Sequence, residues 1–300
     1  MRILLIVNPS SGRGQTKKLL PELKEALAAH PVEFVESRSQ DDLVTIAAKA
    51  TNDGYDVVTA VGGDGTIHYV LTGIINTLQE KKQTQSKTAL GILPLGRGND
   101  IARTLKIPTD VKTACQILTA GKQKLLDIAN TGQHVYIGVA GLGVDAEATR
   151  LANENKMKSN WLPAMFVYGY SVLQALVRYK AKEIKIIYDE GTFEGKVMMA
   201  AISNGQAYGG GMFITPIAEL DDGLLDICIV KEVSKLQLLA SFYQVLSGSH
   251  LNHPYVKYFR SRQVTVESKE EMQFYGDGEY LENTPLKIGL IPKCLPVIVP

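Results

Sequence analysis

Apolar and polar positions change their rhythm once along this chain. Over the first third, short unbroken apolar runs alternate with stretches of helical spacing. Residues 2–7 form an apolar run that predicts a strand. Residues 15–29 place Leu19, Leu20, Leu23, Ala26 and Leu27 on one helical face. Strands are then predicted over 32–36, 57–61 and 89–93, with helices over 41–50 and 67–78. Such alternation predicts a parallel sheet covered by helices. After about Gly121 the runs shorten. Residues 135–139, 184–188, 197–203, 225–230, 263–267, 272–275 and 286–290 read as strands. Turn residues such as Asp189-Glu190-Gly191 and Asp221-Asp222-Gly223 separate them. One helix is predicted over 234–246, and Val297-Ile298-Val299 as a last strand returning to the first domain. The fold class is therefore α/β plus mostly β. Its expected parts are an α/β domain over 1–124, completed by 292–300, and a β-sandwich domain over 125–291.

Composition narrows this little. The 300 residues are 45% apolar, enough for a substantial core, and the formal charge of +1 carries no signature of nucleic-acid binding. Cys115, Cys228 and Cys294 are odd in number and widely spaced, which suits buried reduced thiols. The apolar start lacks a signal-peptide cleavage site, and the expected location is cytoplasmic. Residues 159–177 carry no formal charge and include Trp161, Leu162, Met165, Phe166 and Leu173. They read as a core or interdomain helix, or else as a surface that touches lipid. Lys156 and Lys158 precede the segment, and Arg178, Lys180 and Lys182 follow it, a combination that suits an anionic membrane surface.

In a parallel sheet, ligands bind at the carboxyl ends of the strands. Three loops are expected there: Asn8-Pro9-Ser10-Ser11-Gly12, Gly62-Gly63-Asp64-Gly65-Thr66, and Pro94-Leu95-Gly96-Arg97-Gly98-Asn99-Asp100. Glycines let backbone N–H groups close on an anion, and a helix N-terminus adds partial positive charge. The first loop also reads as an ordinary helix cap by Ser10 or Ser11. The second is neither a dinucleotide fingerprint nor a P-loop, because the Gly-Lys-Ser/Thr ending is missing. Asp64, Asp100 and Asp127 lie at or near predicted strand ends, and Asp277 and Glu279 lie in the β domain. Carboxylates gathered in one cleft would repel unless a cation joined them, which makes Mg²⁺ beside ATP phosphates the expected resident.

Taken together, these motifs resemble the diacylglycerol kinase catalytic-domain family, soluble bacterial lipid kinases related to sphingosine kinases. The resemblance runs nearly end to end: the loops at Asn8, Gly62 and Pro94, then Asp222-Gly223-Leu224-Leu225-Asp226, and Asp277-Gly278-Glu279. It implies ATP-dependent phosphorylation of a lipid hydroxyl, such as that of diacylglycerol, in a cleft between the two domains. It implies ATP contacts from Asn8, Pro9, Ser10, Ser11 and Gly12, from Ser37, from Gly62, Gly63, Asp64, Gly65, Thr66, Ile67 and His68, and from Gly96, Arg97 and Asn99. Glu279, or Asp277 beside it, would be the general base. Asp64 and Asp100 would organise the catalytic Mg²⁺. A second, structural Mg²⁺ would sit on Asp222 with backbone oxygens of Glu219 and Leu224; a hairpin turn without metal is the alternative.

Two positions depart from the family pattern. Arg97 stands where threonine is usual, and either puts a guanidinium on a phosphate or points into solvent. His68 stands where asparagine is usual, and either donates a hydrogen bond or lies on a helix surface. NAD kinases and phosphofructokinase-like sugar kinases share the Gly-Gly-Asp-Gly-Thr turn and are the rival enzymes; an inactive lipid- or nucleotide-binding regulator is the other rival. The expected partner is a membrane lipid, met by reversible association with the inner membrane face through residues 161–177 and through Lys257, Arg260 and Arg262. No nucleic acid is expected, and a homodimer stays open.

Overall fold

The computed structural model describes residues 1–158 and 164–300. The chain separates into two compact units, Met1–Ile128 with Ile291–Pro300, and Ala129–Leu290.

The first unit alternates β1 (Ile3–Val7), α1 (Ser11–Ala26), β2 (Val32–Glu36), α2 (Gln40–Asn52), β3 (Val57–Gly62), α3 (Asp64–Glu80), β4 (Ala89–Pro94), α4 (Asp100–Thr104) and α5 (Val111–Ala120). It continues into β5 (Gln123–Asn130). β1, β3 and β4 are buried along their whole length, as expected of strands covered on both faces. All pairings among β1 to β4 are parallel, in the order β2-β1-β3-β4. After β1 the chain moves outward to β2, then returns to the other side of β1 as β3. The strand order thus reverses between β1 and β3, and the loops leaving their carboxyl ends lie at a topological switch point. Leu5, Val57, Val61, Leu93 and Leu118 pack in the core of this unit. Local signals set the helix starts: Ser39 caps α2 by accepting from the Asp42 N–H at 3.1 Å, and Asp110 caps α5 by accepting from the Thr113 N–H at 2.9 Å.

The second unit contains β6 (Val135–Tyr136), β7 (Val139–Gly143), α6 (Val144–Lys158), α7 (Ala164–Arg178), β8 (Lys182–Tyr188), β9 (Gly191–Ser203) and β10 (Leu225–Lys231). It goes on with α8 (Lys235–Ala240), α9 (Phe242–Ser247), a 3-10 turn at Ser249–Asn252, β11 (Val256–Ser261), β12 (Gln263–Ser268), β13 (Gln273–Gly276), β14 (Glu279–Asn283) and β15 (Leu286–Ile298). Its strand pairings are antiparallel. β9 is long enough to serve two neighbourhoods, pairing with β8 along its first half and with β7 and β10 along its second. Ile186, Val197, Ile202, Ile227, Val266 and Phe274 fill the core.

Three expectations need correcting. The helix expected over 234–246 is two short helices, separated at Ser241, whose side chain accepts a hydrogen bond from the Tyr255 hydroxyl. The strand expected over 135–139 is two strands. The second domain holds one long helix that was not expected, α6, whereas α7 lies in the segment already read as a helix. The C-terminal strand does return to the first unit, where Val297 of β15 pairs in parallel with Leu90 of β4. Trp161 and its neighbours at 159–163 fall outside the described residues. Among those described, no helix is long and apolar enough to cross a membrane.

Candidate functional site

The three loops expected at the strand ends meet, and glycine is what lets them. A Cβ added to Gly63 would lie 3.1 Å from the Gly96 Cα, and one added to Gly12 would lie 2.6 Å from the Leu95 carbonyl oxygen. A Cβ on Gly62 would strike the Thr66 hydroxyl at 2.3 Å. Asn8 ties the first loop to the second, donating from Nδ2 to Thr66 Oγ1 at 3.0 Å. Its Oδ1 accepts from the Ser10 N–H at 3.2 Å and the Ser10 hydroxyl at 2.7 Å. Ser37, at the end of β2, is buried and donates to the Val7 carbonyl at 3.3 Å, joining the ends of β2 and β1.

After Pro9, Ser10 and Ser11 the chain turns left-handed for three residues, Gly12 (φ 59°), Arg13 (φ 61°) and Gly14 (φ 79°). Regular helix resumes beyond them. Only glycine adopts this region without strain, so Arg13 is held there by its flanking glycines.

In the third loop, Asn99 (φ 52°) accepts from the Gly96 N–H and donates to the Gly96 carbonyl, both at 3.1 Å. Arg97 is half-buried, which excludes a solvent-pointing side chain, and its buried Nη1 has no hydrogen-bond partner among the described residues. Burial, and then the nearby Arg13 charge, lower its pKa from the ordinary guanidinium value. A half-buried guanidinium beside a second cation favours an anion between or upon them. His68 is also not on a helix surface: it is 6% exposed, and its ring meets that of Tyr69 edge to face at 5.2 Å. Thr66 and Ile67 are buried in the first turns of α3, while Asp64 and Gly65 open that helix.

Asp64 and Asp100 converge on Gly98, where an added Cβ would lie 2.8 Å from Asp64 Oδ2 and 3.3 Å from Asp100 Oδ2. Asp64 Oδ1 accepts from the Ile101 N–H at 3.2 Å, and Arg103 Nη1 lies 2.5 Å from Asp100 Oδ1. No three His, Cys, Asp or Glu side chains gather as a ready metal centre among the described residues. With Arg103 on Asp100 Oδ1 and the Ile101 N–H on Asp64 Oδ1, the two Oδ2 atoms facing Gly98 are the hard donors a Mg²⁺ could use, as that ion keeps few protein ligands when phosphates supply the rest. Asp127 does not belong with this pair. It is fully buried within β5, and its Oδ1 accepts from the Lys293 N–H at 2.7 Å.

In the second unit, Asp277 (φ 52°) accepts from the Ile137 N–H on Oδ2 and the Gly138 N–H on Oδ1, both at 2.9 Å. Both of its oxygens are committed to backbone. Glu279, half-buried, opens β14 two residues on. At the other turn of interest, the Asp222 carboxylate pairs with Arg260 Nη2, and its Oδ1 accepts from the Leu224 N–H at 3.0 Å. Arg260 also reaches Asp226 at 3.1 Å. A Mg²⁺ held by Asp222 with the Glu219 and Leu224 carbonyls would therefore compete with a guanidinium already there.

Sequence reasoning missed a group at the end of β7. Asp145 is buried, and both the Tyr168 and Tyr208 hydroxyls donate to its Oδ1 at 2.6 Å. Burial raises its pKa above the ordinary carboxyl value, and the two tyrosine hydrogen bonds act against that rise. It lies at one side of a cavity of about 70 Å³ walled by Val172, Leu176, Met199, Met212, Leu238 and Val245. The signal was present in Gly141-Leu142-Gly143. A Cβ on Gly141 would strike Asp145 Oδ2 at 2.3 Å, and one on Gly143 (φ 97°) the Met198 carbonyl at 2.5 Å.

Comparison with known proteins agrees with both halves of this picture. The diacylglycerol kinase catalytic domain matches residues 2–131, and the YegS C-terminal NAD kinase beta sandwich-like domain matches residues 138–299. A diacylglycerol kinase of Staphylococcus saprophyticus is 30% identical over 93% of this chain and 89% of its own length. One from Staphylococcus aureus is 28% identical over 100% of this chain and 92% of its own. A crystal structure from Bacillus anthracis str. Sterne superimposes with a TM-score of 0.82 at 25% identity, covering 100% of this chain and 97% of that one. A diacylglycerol kinase structure from the same organism, at 22% identity and a TM-score of 0.76 with the same coverage, shares the fold.

Proposed function

Because the chain belongs to the diacylglycerol kinase family, we propose that it transfers the γ-phosphate of ATP to the hydroxyl of a lipid, with diacylglycerol the leading acceptor and phosphatidic acid the product. The observation that carries this reading is the meeting of three glycine loops at the switch point, with the half-buried Arg97 guanidinium beside them lacking a partner on Nη1. Backbone N–H groups of residues 12–13 and 62–65 suit phosphate oxygens, and Arg97 with Arg13 adds fixed positive charge. Mg²⁺, when bound, would neutralise the triphosphate further, and Asp64 and Asp100 would hold it.

Phosphoryl transfer depends mainly on positioning and charge stabilisation. The lipid oxygen forms a bond to the γ-phosphorus as the bond from that phosphorus to the bridging oxygen of ADP breaks. Glu279 takes the hydroxyl proton. Asp277 is the weaker candidate base, because its oxygens already accept two backbone N–H groups; its part is to fix the hairpin that carries Glu279. The cavity of the second unit supports a lipid acceptor, since its apolar walls suit hydrocarbon and Asp145 with its tyrosines can hydrogen-bond a polar end. At about 70 Å³ it is smaller than the several hundred Å³ usual for ligand pockets, so a whole acyl chain needs more room than it offers.

The test offers the purified chain radiolabelled ATP and Mg²⁺ with diacylglycerol in detergent micelles, NAD, or fructose 6-phosphate. Label in phosphatidic acid is expected. Label in NAD or in the sugar overturns the lipid reading. ATP binding without label in any of these, or in a total lipid extract offered in their place, shows a regulator instead.

A further inference from the structure

Helices α7, α8 and α9 are apolar on two sides. Their inner sides wall the cavity through Val172, Leu176, Leu238 and Val245. Their outer sides hold eight of the thirteen large apolar side chains exposed among the described residues. On α7, Phe166 is 65% and Val177 74% exposed, with Tyr170 and Leu173 beside them. On α8 and α9, Leu236 is 80% and Tyr243 65% exposed, with Leu239 and Leu246. The two groups adjoin, because Lys235 Nζ at the start of α8 donates to the Val177 carbonyl at the end of α7 at 2.6 Å. A helix apolar on both sides is ordinarily buried, and exposed apolar surface gathered in one patch marks an interaction site.

The charges around the patch say what covers it. Residues 164–182 and 235–252 contain Arg178, Lys180, Lys182 and Lys235 and not one Asp or Glu. A twofold dimer through this face would set the patch against its own copy, Arg178, Lys180 and Lys235 against themselves, with no carboxylate on these helices to answer. An anionic lipid surface answers both features: hydrocarbon for the apolar side chains, and headgroups for Arg178, Lys180 and Lys235, Lys182 being engaged by Glu270. The exposed tyrosines suit the boundary between the two. Among the described residues no helix is long and apolar enough to cross a membrane, so the contact is made by the exposed faces of these helices.

We propose that the outer face of α7, α8 and α9 is a membrane-docking surface that seats this unit reversibly on anionic lipid. The inference rests on the lipid-kinase reading only for why the protein visits a membrane; its physical basis is independent. It also revises the basic residues expected at the membrane, because Arg260 is engaged by Asp222 and Asp226, and it brings in α8 and α9.

The full chain, without nucleotide, is incubated with phosphatidylcholine vesicles with and without phosphatidylglycerol and sedimented. Phosphatidylglycerol is expected to raise the partition coefficient by about tenfold or more, and high salt to reverse the gain. The paired substitution Val177→Glu with Leu236→Glu, at two of the most exposed positions, is expected to lower binding by at least about tenfold. Ile187→Glu, on β8, should leave binding unchanged, and circular dichroism checks folding. Vesicle binding by wild type that is indifferent to both the lipid charge and the paired substitution overturns the proposal. So does a concentration-dependent dimer that the same pair disperses while vesicles stay unbound. Phosphorylation of micellar lipid by a protein that ignores vesicles defeats the docking surface but leaves the kinase. Vesicle binding without any lipid phosphorylation does the reverse.

Discussion

Gly96 and Gly63 meet backbone to backbone: a Cβ added to Gly96 would stand 2.3 Å from the Gly63 Cα. No side chain can yield there, so two loops 33 positions apart are held in contact by the absence of atoms. Gly96→Ala should push the loops apart, costing about 1–3 kcal/mol of stability and lowering ATP affinity by about tenfold or more through misplaced amides. Calorimetric titration and thermal unfolding read the two effects separately.

Arg97 should show opposite signs in two assays. Its buried charge is disfavoured by burial and by Arg13, so Arg97→Ala should raise the melting temperature of the nucleotide-free protein. The same change removes a charge-assisted contact of about 1.5–3 kcal/mol, so ATP affinity should fall about tenfold to a hundredfold, while adenosine binding holds. Unchanged ATP affinity would place Arg97 outside the phosphate site.

The hairpin carboxylates should separate by what they lose. Glu279→Gln should reduce kcat by about a hundredfold or more with little change in melting temperature. Asp277→Asn should instead destabilise, by about 1–3 kcal/mol, because an amide cannot accept both backbone N–H groups with its nitrogen. Steady-state kinetics paired with denaturant titration distinguishes the two residues.

Asp145 makes stability depend on pH in a stated direction. Its folded-state pKa is raised above 3.8 by burial, partly opposed by Tyr168 and Tyr208. The folded protein therefore keeps the proton to higher pH than the unfolded chain does. The associated stability is fully present below 3.8 and is lost as pH rises through the raised value. Urea unfolding of wild type and Asp145→Asn should thus show the variant gaining relative stability upward from that pH, then levelling. A constant difference across the range would mean that Asp145 ionises normally.

How far the sequence could be read followed from the range of the interactions involved. β1, β3 and β4 are buried on both faces and appear as unbroken apolar runs, so the parallel sheet and the loops at its carboxyl ends were legible. That Gly98 lies between Asp64 and Asp100 follows from their loops. The segment of α7 was read as a helix, but apolar residues on both sides left open which of its faces is covered. The break between α8 and α9 depends on Tyr255 reaching back to Ser241. The pairing of Arg260 with Asp222 spans 38 positions and has no local signal. Asp145 was overlooked because its tyrosine partners lie 23 and 63 positions away, although the glycines before it mark a tight approach.

The return of β15 to the first unit has a consequence for how the protein is made. Val297 pairs with Leu90, and the Cys294 carbonyl accepts from the Ser86 N–H at 2.8 Å. The ribosome delivers that strand only after the whole of the second unit has been polymerised. Until then the first unit lacks its partner for β4 and leaves a hydrogen-bonding edge open to other chains. The second unit, encoded without interruption, can finish first. Nascent-chain truncations ending before residue 291 should therefore be the ones that recruit chaperones.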